Sequence, residues 1–386
     1  MSESAEVVRL EDKAWQRLID ETQGAVGLCY QCGVCTATCP WGQVDSRAMN
    51  VRRLLRETQL TARGDAEVLW LCTMCRQCEL LCPRGVEVVK VIRELRSRSF
   101  SERTIPAALE EALWSLLEND NPLGYPPSQR GGWCEDLSIP TPEEAGGILL
   151  YAGSAACYDP RMKRVLQSLA RLMISAGVEF QTLGDDERDS GDLVRYVGEK
   201  GFLRQVIRDN MATFEEREVE TIVAFSPHDY EMFKFVYPEH GGQYEVYHYT
   251  EFLAQLIADG RLHTGKSNGE IRVLYHDPCY LSRYGALTQE PREVLHSLPG
   301  VVVEEFEDNH ANTLCCGGGG GRIFLETEVG MRFSDLRANE AAERGGDAIV
   351  TACPFCVQNF EDSLKTQKLE GLQILDLAEF TMQRIL

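Results

Sequence analysis

Histidine is scarce in this 386-residue chain, with seven in all, and cations are outnumbered by anions. The 39 Lys and Arg face 60 Asp and Glu, a formal net charge of −21. A bulk of that sign repels phosphate backbones, so no nucleic-acid partner is expected. No run approaches the roughly 18 consecutive apolar residues of a membrane span, so no transmembrane segment is expected. The start, MSESAEVVRLEDKAW, has no basic stretch leading into an apolar one. It does not read as a secretory signal, and a cytoplasmic location is expected. No P-loop, HExxH or Ser-His-Asp set occurs, which leaves nucleotide, zinc-protease and serine-hydrolase chemistry without support.

The charge is unevenly placed. Residues 1–103 hold 15 Lys and Arg against 14 Asp and Glu, and the other 283 residues hold 24 against 46. The first part is near neutral and the second strongly acidic, so the two differ in kind.

Fifteen cysteines are the informative content. Without a secretory signal they read as metal ligands or reactive thiols, not as disulfides. Residues 29–40, CYQCGVCTATCP, and 72–83, CTMCRQCELLCP, each follow C-x2-C-x2-C-x3-C-P. That is the bacterial ferredoxin run, whose fourth cysteine ligates the other cluster. The expected sets are Cys29, Cys32, Cys35 with Cys82, and Cys72, Cys75, Cys78 with Cys39. Zinc is the rival metal, but its sites use two pairs of ligands and not quartets closed by proline. Between the runs, Met49, Val51, Leu54 and Leu55 with Arg52, Arg53 and Arg56 predict an amphipathic helix beginning near Asp45 and Ser46. A second basic helix is predicted over Glu87–Arg98. Its arginines and those of the first form either a solvated face or a docking surface for an acidic redox partner.

The rest of the chain repeats itself. Cys279, Cys315-Cys316 and Cys353-Pro-Phe-Cys356 give C-x35-CC-x36-C-x2-C. TIVAFSPHD (221–229) aligns with AIVTACPFC (348–356), placing Ser226 and Asp229 where Cys353 and Cys356 stand. By the same spacing Ser154, Asp189 and Ser190 answer to Cys279, Cys315 and Cys316. The second copy keeps five cysteines, and the first has Ser or Asp at all five positions. Cys134 and Cys157 are left over and read as buried structural thiols. Short apolar runs at Ile148–Tyr151, Thr221–Phe225, Ile271–Tyr275 and Ala348–Thr351 predict strands. Helical stripes lie between them, as in Pro160–Ala176. The alternation predicts parallel α/β units with the motif residues at the carboxyl ends of strands. The fold class is thus α/β with an N-terminal α-helical ferredoxin-type domain and two pseudo-repeated α/β units.

Glycines 317–321 lack the Lys-Ser/Thr of a phosphate loop, and predict close approach of the backbone to a cluster. His276, His310 and Asp277 lie near expected ligands. They read as structural groups or as proton carriers.

The C-x35-CC-x36-C-x2-C set resembles the cysteine-rich CCG domain of heterodisulfide reductases. With the ferredoxin pair ahead of it, the order is similar to the D-type heterodisulfide reductase polypeptide, in which a C-type ferredoxin module and a B-type CCG module share one chain. The resemblance implies that Cys279, Cys315, Cys316, Cys353 and Cys356 hold one noncubane [4Fe–4S] cluster beside two cubane [4Fe–4S] clusters. Ser154, Asp189, Ser190, Ser226 and Asp229 depart from the pattern, which puts cleavage of a disulfide between two such clusters in doubt. Single-site relatives of this kind include DsrK-like subunits and the iron–sulfur subunit of class II benzoyl-CoA reductase complexes. The implied organisation is a ferredoxin-type domain over 1–103, a helical or irregular linker over 104–145, a metal-free CCG repeat over 146–262 and an intact one over 270–386. The implied function is an electron-transfer subunit of a multi-subunit anaerobic redox complex, with flavin- or iron–sulfur-containing partner subunits. The alternative is a reductase of a disulfide or persulfide at the noncubane cluster. A scaffold is disfavoured by five retained, correctly spaced cysteines.

Overall fold

The structure, a computed structural model, describes every residue except 1–11, 46, 65, 138, 140–146, 266–268, 327–329 and 386. The opening residues 1–11, the expected helix start at Ser46 and the linker end at 140–145 lie outside the described residues.

Two parallel sheets form the second part of the chain. Strands β1 (Ile148–Tyr151), β2 (Thr221–Ala224) and β3 (Glu245–His248) make one sheet in the order β1-β2-β3. Strands β4 (Ile271–His276), β5 (Val301–Glu305), β6 (Ala348–Thr351) and β7 (Gln373–Asp376) make the other in the order β5-β4-β6-β7. The sheets match position for position. A lone bridge between Leu149 and Gln181 stands where β5 pairs with β4. The helix after β3 (Tyr249–Ala258) answers to the one after β7 (Leu377–Ile385). Strands buried on both faces read as apolar runs, and β1, β2, β4 and β6 are of that kind.

The repeats share one core. The helix Pro160–Ser175 begins on a proline, with the Asp159 carboxylate capping the amides of Arg161 and Met162. It buries Met162, Val165, Leu166, Leu169 and Leu172 and packs against the final helix. Its Arg161 reaches Glu361 at 2.7 Å and Glu379 at 2.8 Å. The Tyr249 hydroxyl of the first repeat donates to Asp376 of the second at 2.8 Å.

The N-terminal part is helical. The arginine helix runs Val51–Thr61, capped by the Asn50 side chain on the amide of Arg53, a later start than Asp45 and Ser46. The second basic helix runs Val88–Ser101. Their apolar faces meet Leu18, Val26, Leu69 and Trp70, and that core continues into Val194, Tyr196, Tyr280 and Phe333 of the repeats. The N-terminal part is therefore packed onto both repeats, and Cys279 and Cys315 belong to the same cluster of buried groups.

Candidate metal centres

The two ferredoxin runs interleave. Cys29, Cys32, Cys35 and Cys82 line one small cavity, and Cys39, Cys72, Cys75 and Cys78 line another. Left-handed backbone at Gly33 and Arg76 starts the short helices Val34–Ala37 and Gln77–Leu80, which wrap the chain around each set. Amides aim at the sulfurs: Met74 N–H donates to Cys72 Sγ and Val86 N–H to Cys82 Sγ, both at 3.4 Å. Such donors favour thiolate over thiol. Burial acts the other way, pushing the Cys72 thiol up to about 11 and those of Cys39, Cys75 and Cys78 higher still; at Cys75 a hydrogen bond with Cys315 is the larger cause. Thiols that burial holds neutral are deprotonated by the metal they bind, so both sets suit a cluster. Cys32 is the one exposed cysteine among the described residues, so the first site reaches the surface.

The five cysteines of the second repeat converge at the carboxyl ends of β4 and β6. Cys279 Sγ lies 3.7 Å from Cys315 Sγ, and Cys356 Sγ lies 3.3 Å from Cys316 Sγ. All five are buried. The same two pairings recur in the first repeat. Ser154 donates to Asp189 at 2.8 Å, and Ser190 donates to Asp229 at 2.6 Å. Positions 154/189 and 190/229 are the counterparts of 279/315 and 316/356, so the geometry of the ligand set persists without thiols. Ser226 turns to cap the amide of His228 at 3.2 Å.

A guanidinium fills the first repeat's site. Arg130, fully buried, lies 3.2 Å from Glu187, 3.4 Å from Ser154 Oγ and 3.1 Å from the Asp120 carbonyl. Glu187 accepts in turn from the amides of Ala152 (2.9 Å) and Gly153 (3.0 Å). Cys157 is buried against Glu187 at 3.6 Å, and Cys134 donates to the Gly131 carbonyl, so both leftover thiols sit in packing roles. The polar group is a hydrogen-bonded plug that also lines a cavity of about 480 Å³. Ser154, Asp189, Ser226 and Asp229 form one wall of that cavity, and Gly318, Phe355 and Asn359 form another.

His228 crosses from the first repeat to the second. Its Nδ1 lies 3.0 Å from Asp192, its ring stacks on Tyr280 at 3.8 Å, and it touches Cys353. Burial opposes its charge, but Asp192 outweighs burial and pushes it up to about 10. At Cys353 burial is likewise outweighed, here by hydrogen bonds from Cys356 and His228, and the thiol falls to about 5.

The second ferredoxin site and the five-cysteine site abut. Cys75 is hydrogen-bonded to Cys315, which also lies 3.6 Å from Thr73 Oγ1. Three carbonyls of the second run are held from across the junction. Arg96 donates to Cys72 (2.8 Å), Tyr284 to Met74 (2.5 Å) and Arg283 to Cys75 (2.9 Å). The glycine run belongs here. A Cβ on Gly319 would lie 2.6 Å from the Thr73 carbonyl, and one on Gly320 would lie 2.8 Å from that of Cys72. The expected close approach is therefore to the backbone of the second ferredoxin run.

The basic helices divide. Arg52, Arg53 and Arg56 are exposed, whereas Arg96 is fully buried and binds carbonyls of Leu69, Cys72, Tyr196 and Gly320. It is neither a solvated group nor a partner contact but an internal staple. Its spacing within a basic helix gave no sign of this. His276 is buried with no hydrogen-bond partner for either ring nitrogen among the described residues, and burial holds its pKa well below the usual range. Asp277 is paired with Arg292 at 2.8 Å and accepts from the His310 amide at 2.7 Å. All three read as structural.

Comparison with known proteins agrees with this architecture. The cysteine-rich CCG domain matches residues 152–234 and 273–361, and the 4Fe-4S dicluster domain matches 25–86. The chain belongs to the iron–sulfur proteins that join a dicluster ferredoxin module to a repeated CCG domain. It is 24% identical to the D-type subunit of the dihydromethanophenazine:CoB--CoM heterodisulfide reductase of Methanosarcina barkeri, over 92% of this chain and 93% of that one. It is 30% identical to the EtfAB:quinone oxidoreductase of Syntrophomonas wolfei over 98% of this chain, and 34% identical to the probable iron-sulfur-binding oxidoreductase FadF of Bacillus subtilis over 83%. The chain spans 60% and 47% of the length of those two relatives. Another relative is named a probable membrane-anchored ferredoxin. Among the described residues no helix is long and apolar enough to cross a membrane. The chain is thus an iron–sulfur oxidoreductase or electron-transfer subunit, and its homologues are subunits of multi-subunit redox complexes.

Proposed function

We propose that this CCG-domain chain is an electron relay of three clusters in one line, within a larger anaerobic redox complex. Two cubane [4Fe–4S] clusters would be held by Cys29, Cys32, Cys35 and Cys82 and by Cys72, Cys75, Cys78 and Cys39. One noncubane [4Fe–4S] cluster would be held by Cys279, Cys315, Cys316, Cys353 and Cys356. When bound, these groups supply one-electron carriers. The contact of Cys75 with Cys315 carries the reading, because it brings the second and third ligand sets together in a dry interior. Cys32 gives the line an exposed end. Arg96 and Arg283 fix the backbone at the junction and put positive charge beside it. Ser and Asp at the first repeat's five positions are poor ligands for iron–sulfur chemistry, so that repeat is metal-free.

A second reading, reduction of a disulfide or persulfide at the noncubane cluster, is favoured by the cavity of about 480 Å³ beside Phe355 and Gly318. The partners are other redox subunits carrying a flavin or iron–sulfur centre. The names of two relatives, EtfAB:quinone oxidoreductase and heterodisulfide reductase, span both readings.

The deciding experiment uses protein purified anaerobically with about 12 iron atoms per chain, as three four-iron clusters require. The relay predicts rapid loading of all three centres from one donor and no turnover with small disulfides. Sustained disulfide turnover would favour the second reading. About eight irons would remove the C-terminal centre.

A further inference from the structure

We infer that the surface around Cys32 is the docking face for an acidic redox protein, and that electrons enter or leave the relay there. This rests on the relay reading. The face has three properties together. It is the one place where a cysteine of the described residues is exposed. It is apolar to a degree unusual for free surface: Tyr30 is 59% exposed, Leu28 42%, Leu80 47% and Leu81 45%, each a neighbour in sequence of a cysteine of the first ligand set or of its interleaved partner. It is also cationic without compensation. Arg52 and Arg84 line the cavity of the four cysteines, and Arg56 lies one turn along the same helix as Arg52. Arg52, Arg56 and Arg84 are exposed, and no ion-pair partner is found for them among the described residues.

The nearby acids are already engaged. Glu57 is bound by Arg53 at 2.6 Å, Glu79 by Arg76 at 2.7 Å, and Glu87 faces Lys90 at 3.7 Å. What remains is an apolar patch rimmed by free guanidinium groups around a redox-active thiol set. Apolar centres with charged rims are the anatomy of a transient protein interface, and the rim charge sets the partner's sign. A partner with an acidic rim around its own flavin or cluster fits it. The chain's acidic remainder, net −22 over 104–386, makes a second copy the main competing occupant. An anionic membrane is the other.

The test follows loading of the anaerobic holoprotein by stopped-flow absorbance, with reduced flavodoxin as the small acidic flavoprotein probe and a neutral small mediator as control. Arg52→Glu with Arg84→Glu should slow loading from flavodoxin by ten-fold or more at low ionic strength, since steering of this kind changes association rates by about 10–1,000-fold. About 0.5 M salt should do the same to the wild type. Loading by the neutral mediator should not change. Arg164→Glu with Arg171→Glu, exposed on the opposite part of the chain, matches the change in net charge and should leave both rates unchanged. If the rim pair folds poorly, Arg52→Ala with Arg84→Ala should show the same order with a smaller loss.

A flavodoxin rate within about two-fold of wild type, or equal slowing in the control pair, overturns the proposal. So does a wild-type dimer, or binding to anionic vesicles, that the rim substitutions abolish while flavodoxin loading stays unchanged. If the neutral mediator itself leaves the five-cysteine centre oxidised in the wild type, the relay reading fails first, and the docking proposal falls with it.

Discussion

Arg96 is expected to be the strongest single determinant of how the ferredoxin module sits on the CCG pair. It is fully buried and faces no carboxylate; its five hydrogen bonds end on four carbonyls. Those are Leu69 at 3.0 and 2.8 Å, Cys72 at 2.8 Å, Gly320 at 2.8 Å and Tyr196 at 3.1 Å. Its guanidinium also stacks on Trp70 at 4.5 Å. The four carbonyls come from the module, the first repeat and the second, so one side chain ties all three. Replacing it by Met leaves the carbonyls without this donor, at about 1–3 kcal/mol each. Against that, a desolvated cation is removed, whose cost shows in a pKa drawn down by burial to about 10. With part of the loss returned, Arg96→Met should destabilise by about 3–5 kcal/mol. Arg96→Lys keeps the charge but not the planar fork, and should recover less than half of the loss. Denaturant unfolding followed by cluster absorbance measures the cost, and limited proteolysis at Ser101–Arg103 reports release of the module. Unfolding within about 1 kcal/mol of wild type, with the connection still protected, would refute the staple.

Further outcomes follow from the same geometry. Arg130→Met strands the buried Glu187 and should cost about 3–5 kcal/mol, most of it recovered in the double variant with Glu187→Gln; additive losses in thermal melts would show the pair is not coupled. Burial holds His248 down to about 3 and His276 well below its usual value. The folded chain keeps both neutral while the unfolded chain takes up protons, so stability is present above about 6.5 and is lost as pH falls below it. His248→Gln should flatten that acid limb; an unchanged slope would exclude it. Burial pushes Asp376 up to about 8, so the folded chain retains a proton that the unfolded chain releases. Its effect is to lower stability as pH rises from about 4 to 8, and Asp376→Asn should remove that decline. Cys39→Ala should alter the EPR signal of the centre held by Cys72, Cys75 and Cys78. A change confined to the centre held by Cys29, Cys32 and Cys35 would reverse the crossed ligand sets.

The strands at the middle of each sheet were legible because they are buried on both faces and read as apolar runs: Ile148–Tyr151, Thr221–Ala224, Ile271–His276 and Ala348–Thr351. The outer strands Glu245–His248, Val301–Glu305 and Gln373–Asp376 were not, being short and partly exposed, with charged or polar residues at one end. The repeat was legible through spacing alone, and the serine–aspartate pairs show why: the chain that once needed to gather five ligands still gathers five positions. Arg96 and Arg130 were illegible for a common reason. Each binds groups far away in sequence, 224 residues for Arg96 to Gly320 and 57 for Arg130 to Glu187. Nothing local separates such an arginine from a solvated one. The glycine run was recognised as a site of close approach, but what it approaches lies in another module.

The relay is tested most directly by EPR spin quantitation during stepwise reduction of the anaerobic holoprotein. Full reduction is predicted to give three paramagnetic centres per chain. The signals of the centre at Cys72, Cys75, Cys78 and Cys39 and of the five-cysteine centre should broaden each other, as adjacent spins do. Two centres only, or three with unbroadened and independent signals, would contradict a line of clusters joined at Cys75 and Cys315.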